Sequence, residues 1–524
     1  MSRIKSALSL AVVSLIGGTG VAAAQGNLSS APPISSINRL LMGTGTEWDL
    51  WNIPINQNGV SSSPYVYTVL QNSLVPTHSE KFWLGDETDM THAQDLLNAG
   101  ESPIMLEGND LQAAYVKEYG QSGTGNSSIV WDSNIQASMN NYLNTVMATR
   151  ISNMQALASH GHSIYYVLNP EFTIVGDAKT SSGYGQWLQT EISALRAANI
   201  PNLKIVLGFL ISPSDFQSYL PTIQAFAQAH PNLLGSVDYF GPAFHNQLQV
   251  NSTVAANIVS FLESVYSYTK IPTMIPYSYI YWDIYYNGSD TTHQQCGSES
   301  DAAAFWNYLQ AHRDTLVNNA HLWAWTLSNS GATQTGSAES LHGGSGLLSP
   351  LVEPVNYSGY PYPFAGNQSY NQGGLAYINW MRAESPYTFT NRDSGNVMDV
   401  PSASSGTQLV QHSWQSITSQ LWVLVGTSSG YYQLQDKYSG LYAAVQNGSS
   451  SDGTPIVEVT DPTQTSAQWS LIDEGNGYYE IKNRATGGML SGNPGHNTAG
   501  QSLVQESDTG STVEQWSLNY KLVY

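Results

Sequence analysis

Short apolar runs alternate with amphipathic stretches over residues 36 to 385 of the 524-residue chain. The runs have the length of strands, whereas the stretches between them carry the wider apolar spacing of helices. This alternation is typical of a parallel sheet whose strands are joined by crossover helices. The predicted strands are 37–45, 81–86, 103–107, 163–171, 203–211, 236–245, 272–280 and 322–328. Eight such strands predict an α/β fold, the (β/α)8 barrel.

The C-terminal ends of these predicted strands are rich in carboxylates and aromatic residues. In a (β/α)8 barrel these ends share one rim, and the rim is where such folds carry their chemistry. The candidate catalytic residues are Glu171, Glu107, Asp283 and Asp86. The candidate substrate-binding residues are Asn169, His245, Tyr277, Trp325 and Trp48.

Carboxylates on a rim with aromatic walls indicate saccharide chemistry. Cleavage of a glycosidic bond needs one carboxylic acid to protonate the leaving oxygen and a second carboxylate as nucleophile or base. Glu171 is the first candidate for the acid, because partial desolvation at a barrel mouth raises the pKa of a carboxyl group. The second carboxylate is predicted to be Glu107, then Asp283, then Asp86. A role in a loop or helix cap stays open for each of them.

The strand-end residues resemble those of glycoside hydrolases, in particular the large clan whose acid/base Glu follows an Asn at the end of strand four. In this chain a proline separates the two residues, as Asn169-Pro170-Glu171. The clan's nucleophile is a Glu at the end of strand seven, whereas PTMIPYSYIYWD contains no Glu and has Asp283 as its first acid. The resemblance implies the hydrolase architecture and leaves the second carboxylate open.

A threefold repeat occupies the chain from about Tyr387 to the end. Trp422, Trp469 and Trp516 follow one another at intervals of 47 residues. Short strand-like segments separated by Gly, Ser and Asn turns recur with the same spacing. Such a period marks a structural repeat, and three β-rich copies predict a closed threefold β structure.

The first copy ends in Gln420-Leu421-Trp422. This Q-x-W signature resembles that of the ricin-B-type β-trefoil lectins. A pyranose is held by polar groups that bond its hydroxyls and by an aromatic face for stacking. In the later copies Ala444 and Ser491 replace the acid of the first, so the first repeat is the preferred site. The resemblance implies that its sugar-binding residues are Asp399, Gln411, Trp414 and Gln420.

Charge narrows the classes of partner. The chain has 17 Lys and Arg against 38 Asp and Glu, a formal net charge of −21. Without clustered cations we expect no nucleic acid and no anionic membrane as partners. The mostly neutral polar composition leads to the hypothesis of an acidic working pH. We expect a monomer with no cofactor and no metal, although the acids and imidazole of residues 86–92 leave a divalent cation as a minor alternative.

The N-terminus has the pattern of a secretory signal peptide. Arg3 and Lys5 precede an apolar run over residues 7–16, and small residues at 21–24 suit cleavage after Ala24. A lone cysteine, Cys296, excludes an internal disulfide. The predicted organisation is a signal peptide (1–24), a (β/α)8 catalytic domain (25–385) and a β-trefoil carbohydrate-binding domain (386–524), secreted to the outside of the cell or to a periplasm.

The function expected from these features is a secreted glycoside hydrolase that acts on a polysaccharide or oligosaccharide through its barrel. The alternative is a non-catalytic glycan-binding lectin, which the missing Glu on strand seven favours. A polysaccharide lyase is the weakest reading, because it needs cations near the substrate carboxylate and the strand ends hold few Lys or Arg.

Overall fold

The computed structural model describes residues 31–34, 40–45, 78–83, 91–98, 100–107, 131–168, 182–211, 213–244, 251–278, 284–285, 294–295, 299–328, 372–427, 429–475, 477–495 and 497–520. Over these ranges the chain is a mixed helix and sheet protein with a parallel sheet in its N-terminal part and a β-trefoil-like sheet region in its C-terminal part. None of the helices in these ranges is long and apolar enough to cross a membrane.

Eight parallel strands form the N-terminal sheet. They are β1 (Leu41–Gly45), β2 (Ser79–Trp83), β3 (Ser102–Leu106), β4 (Ile164–Leu168), β5 (Leu203–Ile211), β6 (Tyr239–Phe244), β7 (Thr273–Ser278) and β10 (Leu322–Ser328). A small separate pair consists of β8 (Ile284–Tyr285) and β9 (Gln294–Gln295). Because β1 pairs with both β2 and β10, the eight strands close into a ring. Each strand overlaps one of the predicted apolar runs.

Helices follow the strands on the outside of the ring. They are α1 (Thr91–Asn98), α2 (Ser133–Tyr142), α3 (Ala148–Leu157), α4 (Ser182–Ala197), α5 (Leu220–Ala229), α6 (Pro231–Leu234), α7 (Ser252–Thr269), α8 (Glu299–Ala311), α9 (Arg313–Asn318) and α10 (Gln372–Ala383). A π-helical turn, Leu143–Met147, joins α2 to α3. Residues 46–77, between β1 and β2, lie outside the described residues, so the alternation of strand and helix is described from β2 onwards.

Side chains of the ring alternate between two buried layers. On β4, Tyr165 and Val167 pack inside the ring, whereas Tyr166 packs in the larger core between strands and helices. This is the two-residue period of a strand that is covered on both faces. On β3, Met105 belongs to the helix-facing core, and Glu107 follows it at the next position of the same face. Strand ends therefore do not all aim their side chains into the mouth of the ring.

The C-terminal region consists of twelve antiparallel strands in three copies of four. The first copy has β11 (Tyr387–Asn391), β12 (Val397–Asp399), β13 (Val410–His412) and β14 (Trp422–Gly426). The second has β15 (Tyr432–Asp436), β16 (Tyr442–Val445), β17 (Thr454–Val459) and β18 (Trp469–Gly475). The third has β19 (Tyr478–Asn483), β20 (Met489–Gly492), β21 (Leu503–Glu506) and β22 (Gln515–Tyr520). Pairing of β22 with both β11 and β19 links the last copy to the first.

The three repeat tryptophans are core residues with equivalent contacts. Trp422, Trp469 and Trp516 are each 0% exposed. Their indole N–H groups donate to the carbonyl oxygens of Met398, Ala443 and Leu490, at 3.2, 2.9 and 2.9 Å respectively. A buried indole needs such a partner for its N–H group. The 47-residue sequence period is therefore a period of the structure.

Helix α10 and the residues after it join the two parts. The Tyr377 hydroxyl donates to the Gly43 carbonyl of β1 at 2.6 Å. On the trefoil side, the Asn379 side chain donates to the Gly426 carbonyl at 3.0 Å and accepts from the Gly426 N–H at 2.8 Å. Past the helix, Ser385 Oγ lies 2.8 Å from His78 Nε2, directly before β2. The junction therefore lies at the N-terminal end of the ring, opposite the strand C-termini.

Candidate functional site

Asp399, at the end of β12, is the centre of a buried polar cluster in the first repeat. Its Oδ2 lies 2.8 Å from His412 Nδ1 and accepts from Gln420 Nε2 at 3.3 Å. Its Oδ1 accepts from Ser419 Oγ at 2.7 Å. The residue is 1% exposed. Asp399 therefore has the contacts of a group that orients its neighbours, above all His412.

Gln420 fixes the loop next to this cluster. Its Nε2 also donates to the Ser413 carbonyl at 3.1 Å, and its Oε1 accepts from the Gln415 N–H at 2.8 Å. Trp414 lies between the two anchored residues and is partly exposed. The structure thus brings together Asp399, Gln420 and the loop that carries the predicted aromatic face.

Gln411 lies on the other face of β13, away from Asp399. It is 0% exposed, accepts from Ser394 Oγ at 2.7 Å and donates to Asn497 Oδ1 at 2.5 Å. Because strand side chains alternate, the residue one position later, His412, faces Asp399 instead. Sequence reasoning missed His412, and the period-two alternation of the strand β13, VQH, is the signal that points to it.

The equivalent positions of the other repeats have no carboxylate. Ala444 lies on β16, and Ser491 on β20 donates its hydroxyl to the Gly492 carbonyl at 2.8 Å. Among the three equivalent positions, the arrangement of acid, imidazole and amide belongs to the first repeat.

Glu107 belongs to a buried network on the helix side of the ring. Its Oε1 accepts from the Tyr142 hydroxyl at 2.5 Å, and that hydroxyl in turn accepts from Arg150 Nη1 at 2.8 Å. Arg150 also donates to the Tyr166 hydroxyl at 3.1 Å. Glu107 is 1% exposed and Arg150 is 0% exposed. The catalytic role of Glu107 stays a prediction, and these contacts favour a structural role.

Glu191 on α4 completes the network as a second buried carboxyl group. Burial raises its pKa well above the ordinary value, and the neighbouring charge of Glu107 raises it further. Burial, again with Glu107, also raises the pKa of the Tyr142 hydroxyl. The raised pKa favours the neutral form of Glu191 inside this network.

Trp325 packs between the sheet and the helices. Its ring lies 5.8 Å from that of Trp306 on α8 and 6.1 Å from that of Trp380 on α10, centroid to centroid. Its indole N–H donates to Ser278 Oγ at 2.9 Å, and the side chain is 0% exposed. Its predicted role as a substrate wall stays a prediction, and the contacts favour core packing.

Most of the remaining barrel predictions fall outside the described residues. The backbone of Tyr277 belongs to β7, and its side chain is not described. The others that lie outside are Glu171, Asp283, Asp86, Asn169, His245 and Trp48.

One group of acids in the third repeat has the spacing of metal ligands. Within the described part of the chain, carboxylate oxygens of Glu480, Asp508 and Glu514 lie within 4.8 Å of one another. Glu514 also accepts from the N–H groups of Thr509 at 3.0 Å and Ser511 at 3.4 Å. Its carboxylate thus closes a turn, which is a sufficient structural role.

Known proteins resemble the C-terminal part of the chain. The family model described as ricin-type beta-trefoil lectin domain-like matches residues 377–458 and 465–523. The designed threefold symmetric protein ThreeFoil is 33% identical, with a TM-score of 0.25, and the match covers 26% of this chain and 97% of that one. An exo-beta-1,3-galactanase from Clostridium thermocellum is 30% identical, with a TM-score of 0.26, over 26% of this chain and 30% of that one.

The Rhizoctonia solani agglutinin is 18% identical, with a TM-score of 0.24, over 26% of this chain and 94% of the agglutinin. No curated protein matches the chain. The C-terminal region is a ricin-type β-trefoil lectin domain, and the protein thus contains a carbohydrate-binding lectin module.

Proposed function

We propose that the protein is a secreted glycoside hydrolase whose lectin domain holds it on a carbohydrate. The observation that supports this proposal is the closed ring of parallel strands, because the C-terminal ends of all its strands lie at one rim. Glu171 and Asp86 each come three residues after the end of a strand, β4 and β2, and Asp283 comes five residues after β7. That spacing supports a group of carboxylates on one rim.

The ring with its outer helices is proposed to be a complete (β/α)8 catalytic domain over residues 25–385. Glu171 is the proposed acid. The buried network around Glu107 supports Asp283 or Asp86 as the second carboxylate. An acid and a second carboxylate across the rim are the groups that hydrolysis of a glycosidic bond requires.

The sugar site of the lectin domain is proposed to be in the first repeat. Asp399 holds the His412 imidazole and the amide of Gln420, while Gln420 anchors the loop that carries Trp414. A sugar would stack on the indole and bond to the oriented polar groups. Because the junction lies at the N-terminal end of the ring, this site serves as an anchor separate from the catalytic rim.

A lectin without catalysis is the second candidate. The observation that favours it is β7, whose sequence TMIPYS contains no carboxylate. Such a protein would bind glycans through the first repeat and release no sugar.

The test is the release of reducing ends from a panel of plant, fungal and bacterial glycans. We expect Glu171→Gln to lower turnover about 10²-fold or more, because the acid can no longer protonate the leaving oxygen. Glu263→Gln makes the same chemical change on the outer helix α7 and should leave turnover unchanged. Equal rates for both variants would remove Glu171 from the mechanism. Binding with no reducing ends from the intact protein would favour the second candidate.

Secretion is part of the same proposal. The signal-peptide pattern of residues 1–24 supports it. Expression of the full chain in a secreting host, followed by N-terminal sequencing of protein from the medium, tests it. The expected first residue is Gln25, and protein that stays inside the cells with Met1 in place contradicts secretion.

A further inference from the structure

We infer that residues 31–34 act as a strap that positions the sugar-binding loop of the first repeat, residues 413–418. The Pro32 carbonyl accepts from the Thr418 N–H at 2.9 Å, and the Ile34 N–H donates to the Ser416 carbonyl at 3.0 Å. Between these two bonds, Pro33 and Ile417 form an antiparallel bridge. The inference rests on the proposed sugar site, because the strap acts on the loop of that site. The strap and the loop are nearly four hundred residues apart in sequence.

The strap forms hydrogen bonds with the backbone of two loop residues, Ser416 and Thr418, whose conformation or burial requires a partner. Thr418 is 5% exposed, and a buried N–H without an acceptor costs about 1–3 kcal/mol. Ser416 has a φ of 59°, in the left-handed region that residues other than glycine rarely adopt. Such a conformation persists when the surrounding contacts hold it. Without the strap we expect this loop to leave the conformation that presents Trp414.

Contacts continue from the strap to the candidate sugar site. Thr418 begins the 3₁₀ turn Thr418–Gln420, whose next two residues donate to Asp399. A shift of Thr418 would therefore move Ser419 and Gln420 relative to the carboxylate. The strap acts on the site through this turn, so its residues are positioning residues without direct sugar contacts.

The equivalent loops of the other repeats, residues 460–465 and 507–512, are held by side chains of the trefoil itself. In the second, Asp461 accepts from the Thr463 N–H at 2.9 Å. In the third, Glu514 accepts from the Thr509 N–H at 3.0 Å. Asp452 of the second repeat also accepts from the Ser507 N–H at 2.7 Å. The loop at the candidate sugar site, in contrast, bonds through its backbone to a segment outside the trefoil, before β1.

The strap also ties the loop to the ring. Ile34 precedes Leu41, the first residue of β1, by seven positions, which span at most about 25 Å. Together with the bonds between Asn379 and Gly426, this gives the lectin domain two attachments at the N-terminal end of the ring. The lectin domain is thereby connected to the ring through the chain before β1 and through helix α10.

The test compares Ile34→Pro with Ile34→Ala in the full chain. Proline removes the N–H that donates to Ser416, whereas alanine keeps it. Hydrogen exchange of residues 413–420 should rise about tenfold in the proline variant, as one lost hydrogen bond predicts. Residues 460–467 and 507–514 are internal references and should not change. Unchanged exchange at 413–420 overturns the strap.

Retention on xylan, chitin, curdlan and cellulose tests the effect on sugar binding. For whichever of these glycans the intact protein binds, the dissociation constant should rise at least threefold in the proline variant. It should stay unchanged in the alanine variant. Faster exchange with unchanged retention contradicts a positioning role at the site. If the intact protein binds none of the four, the proposed sugar site fails, and hydrogen exchange alone decides whether the strap holds the loop.

A second pair of variants covers a failure of the proline variant to fold. Deletion of residues 25–34 removes the strap, and deletion of residues 25–30 leaves it in place. The longer deletion should reproduce the exchange of the proline variant, while the shorter one should match the intact protein. Identical exchange in both deletions overturns the inference.

Discussion

Asp436 and Glu458 are two buried carboxyl groups bridged by one serine in the second repeat. Asp436 Oδ2 accepts from the Ser439 N–H at 2.7 Å, and the Ser439 hydroxyl donates to Glu458 Oε1. Both acids are 0% exposed. Among the described residues, the second carboxyl oxygen of each, Oδ1 of Asp436 and Oε2 of Glu458, finds no hydrogen-bond partner.

Neutral amides occupy the same two positions in the other repeats. Asn391 and Gln411 are linked through Ser394 in the first, at 3.2 and 2.7 Å. Asn483 and Gln505 are linked through Thr486 in the third. The second repeat therefore places two ionisable groups where the fold elsewhere uses uncharged ones.

We predict that the lectin domain is more stable in acid than at alkaline pH. Burial, together with the charge of a neighbouring carboxylate, raises the pKa of Asp436 to about 7 and that of Glu458 to about 8. The neighbour is Asp399 for Asp436, and Asp436 for Glu458. In the unfolded chain both groups ionise near pH 4. The folded state thus binds more protons between about pH 4 and 8, so the free energy of unfolding falls by up to about 1.4 kcal/mol per pH unit for each group.

Thermal unfolding at pH 4.5 and 8.5 measures this dependence. The double variant with Asp436→Asn and Glu458→Gln should have a flatter pH profile and a higher melting temperature at pH 8.5. Asn391→Asp is the matched control, since it puts a carboxyl group into the first repeat and should steepen the profile. Identical slopes in all three proteins would contradict the assignment.

Asp399→Ala should abolish glycan retention by the lectin domain. The change removes the acceptor for His412, Ser419 and Gln420, and we expect a loss of about 1–3 kcal/mol in the free energy of unfolding. Ser491→Ala is the matched control at the equivalent position of the third repeat and should keep retention. Retention by the Asp399 variant at the level of the control would move the sugar site to another repeat.

Arg150→Met should destabilise the barrel by about 3–5 kcal/mol, because it leaves the Glu107 carboxylate buried without its cation. Glu191→Gln should cost less than about 1 kcal/mol, since the raised pKa of Glu191 favours its neutral form, which the amide imitates. Urea unfolding of both variants gives the two free energies. A large loss in the glutamine variant would mean that Glu191 is ionised in the folded protein.

Truncation after residue 385 should remove retention on insoluble glycan and keep turnover on soluble oligosaccharides. The lectin domain joins the ring at the end opposite the proposed catalytic rim, so its removal leaves the rim intact. The melting temperature should drop by a few degrees, because Asn379 loses both of its bonds to Gly426. Loss of turnover on soluble substrate would place part of the catalytic site in the lectin domain.

The positions of strands and repeats could be read from the sequence because their signals are local. A buried strand needs a continuous apolar run, and residues 203–211 and 322–328 are strands with those bounds. The 47-residue period fixes equivalent positions in any fold that repeats, so Trp422 and its two counterparts could be identified as one set. Charge and composition likewise depend on the sequence alone.

Which face a side chain occupies was decided by the tertiary structure. Gln411 and His412 are neighbours in sequence, yet β13 directs them to opposite sides, and the strand register selects His412 as the partner of Asp399. Glu107 and Trp325 follow or belong to strands at the expected places, but both face the helices. A shift of one residue reverses the face of every side chain in a strand. An apolar run that is buried on both faces contains no polar alternation to mark that register, so only the packed sheet specifies it.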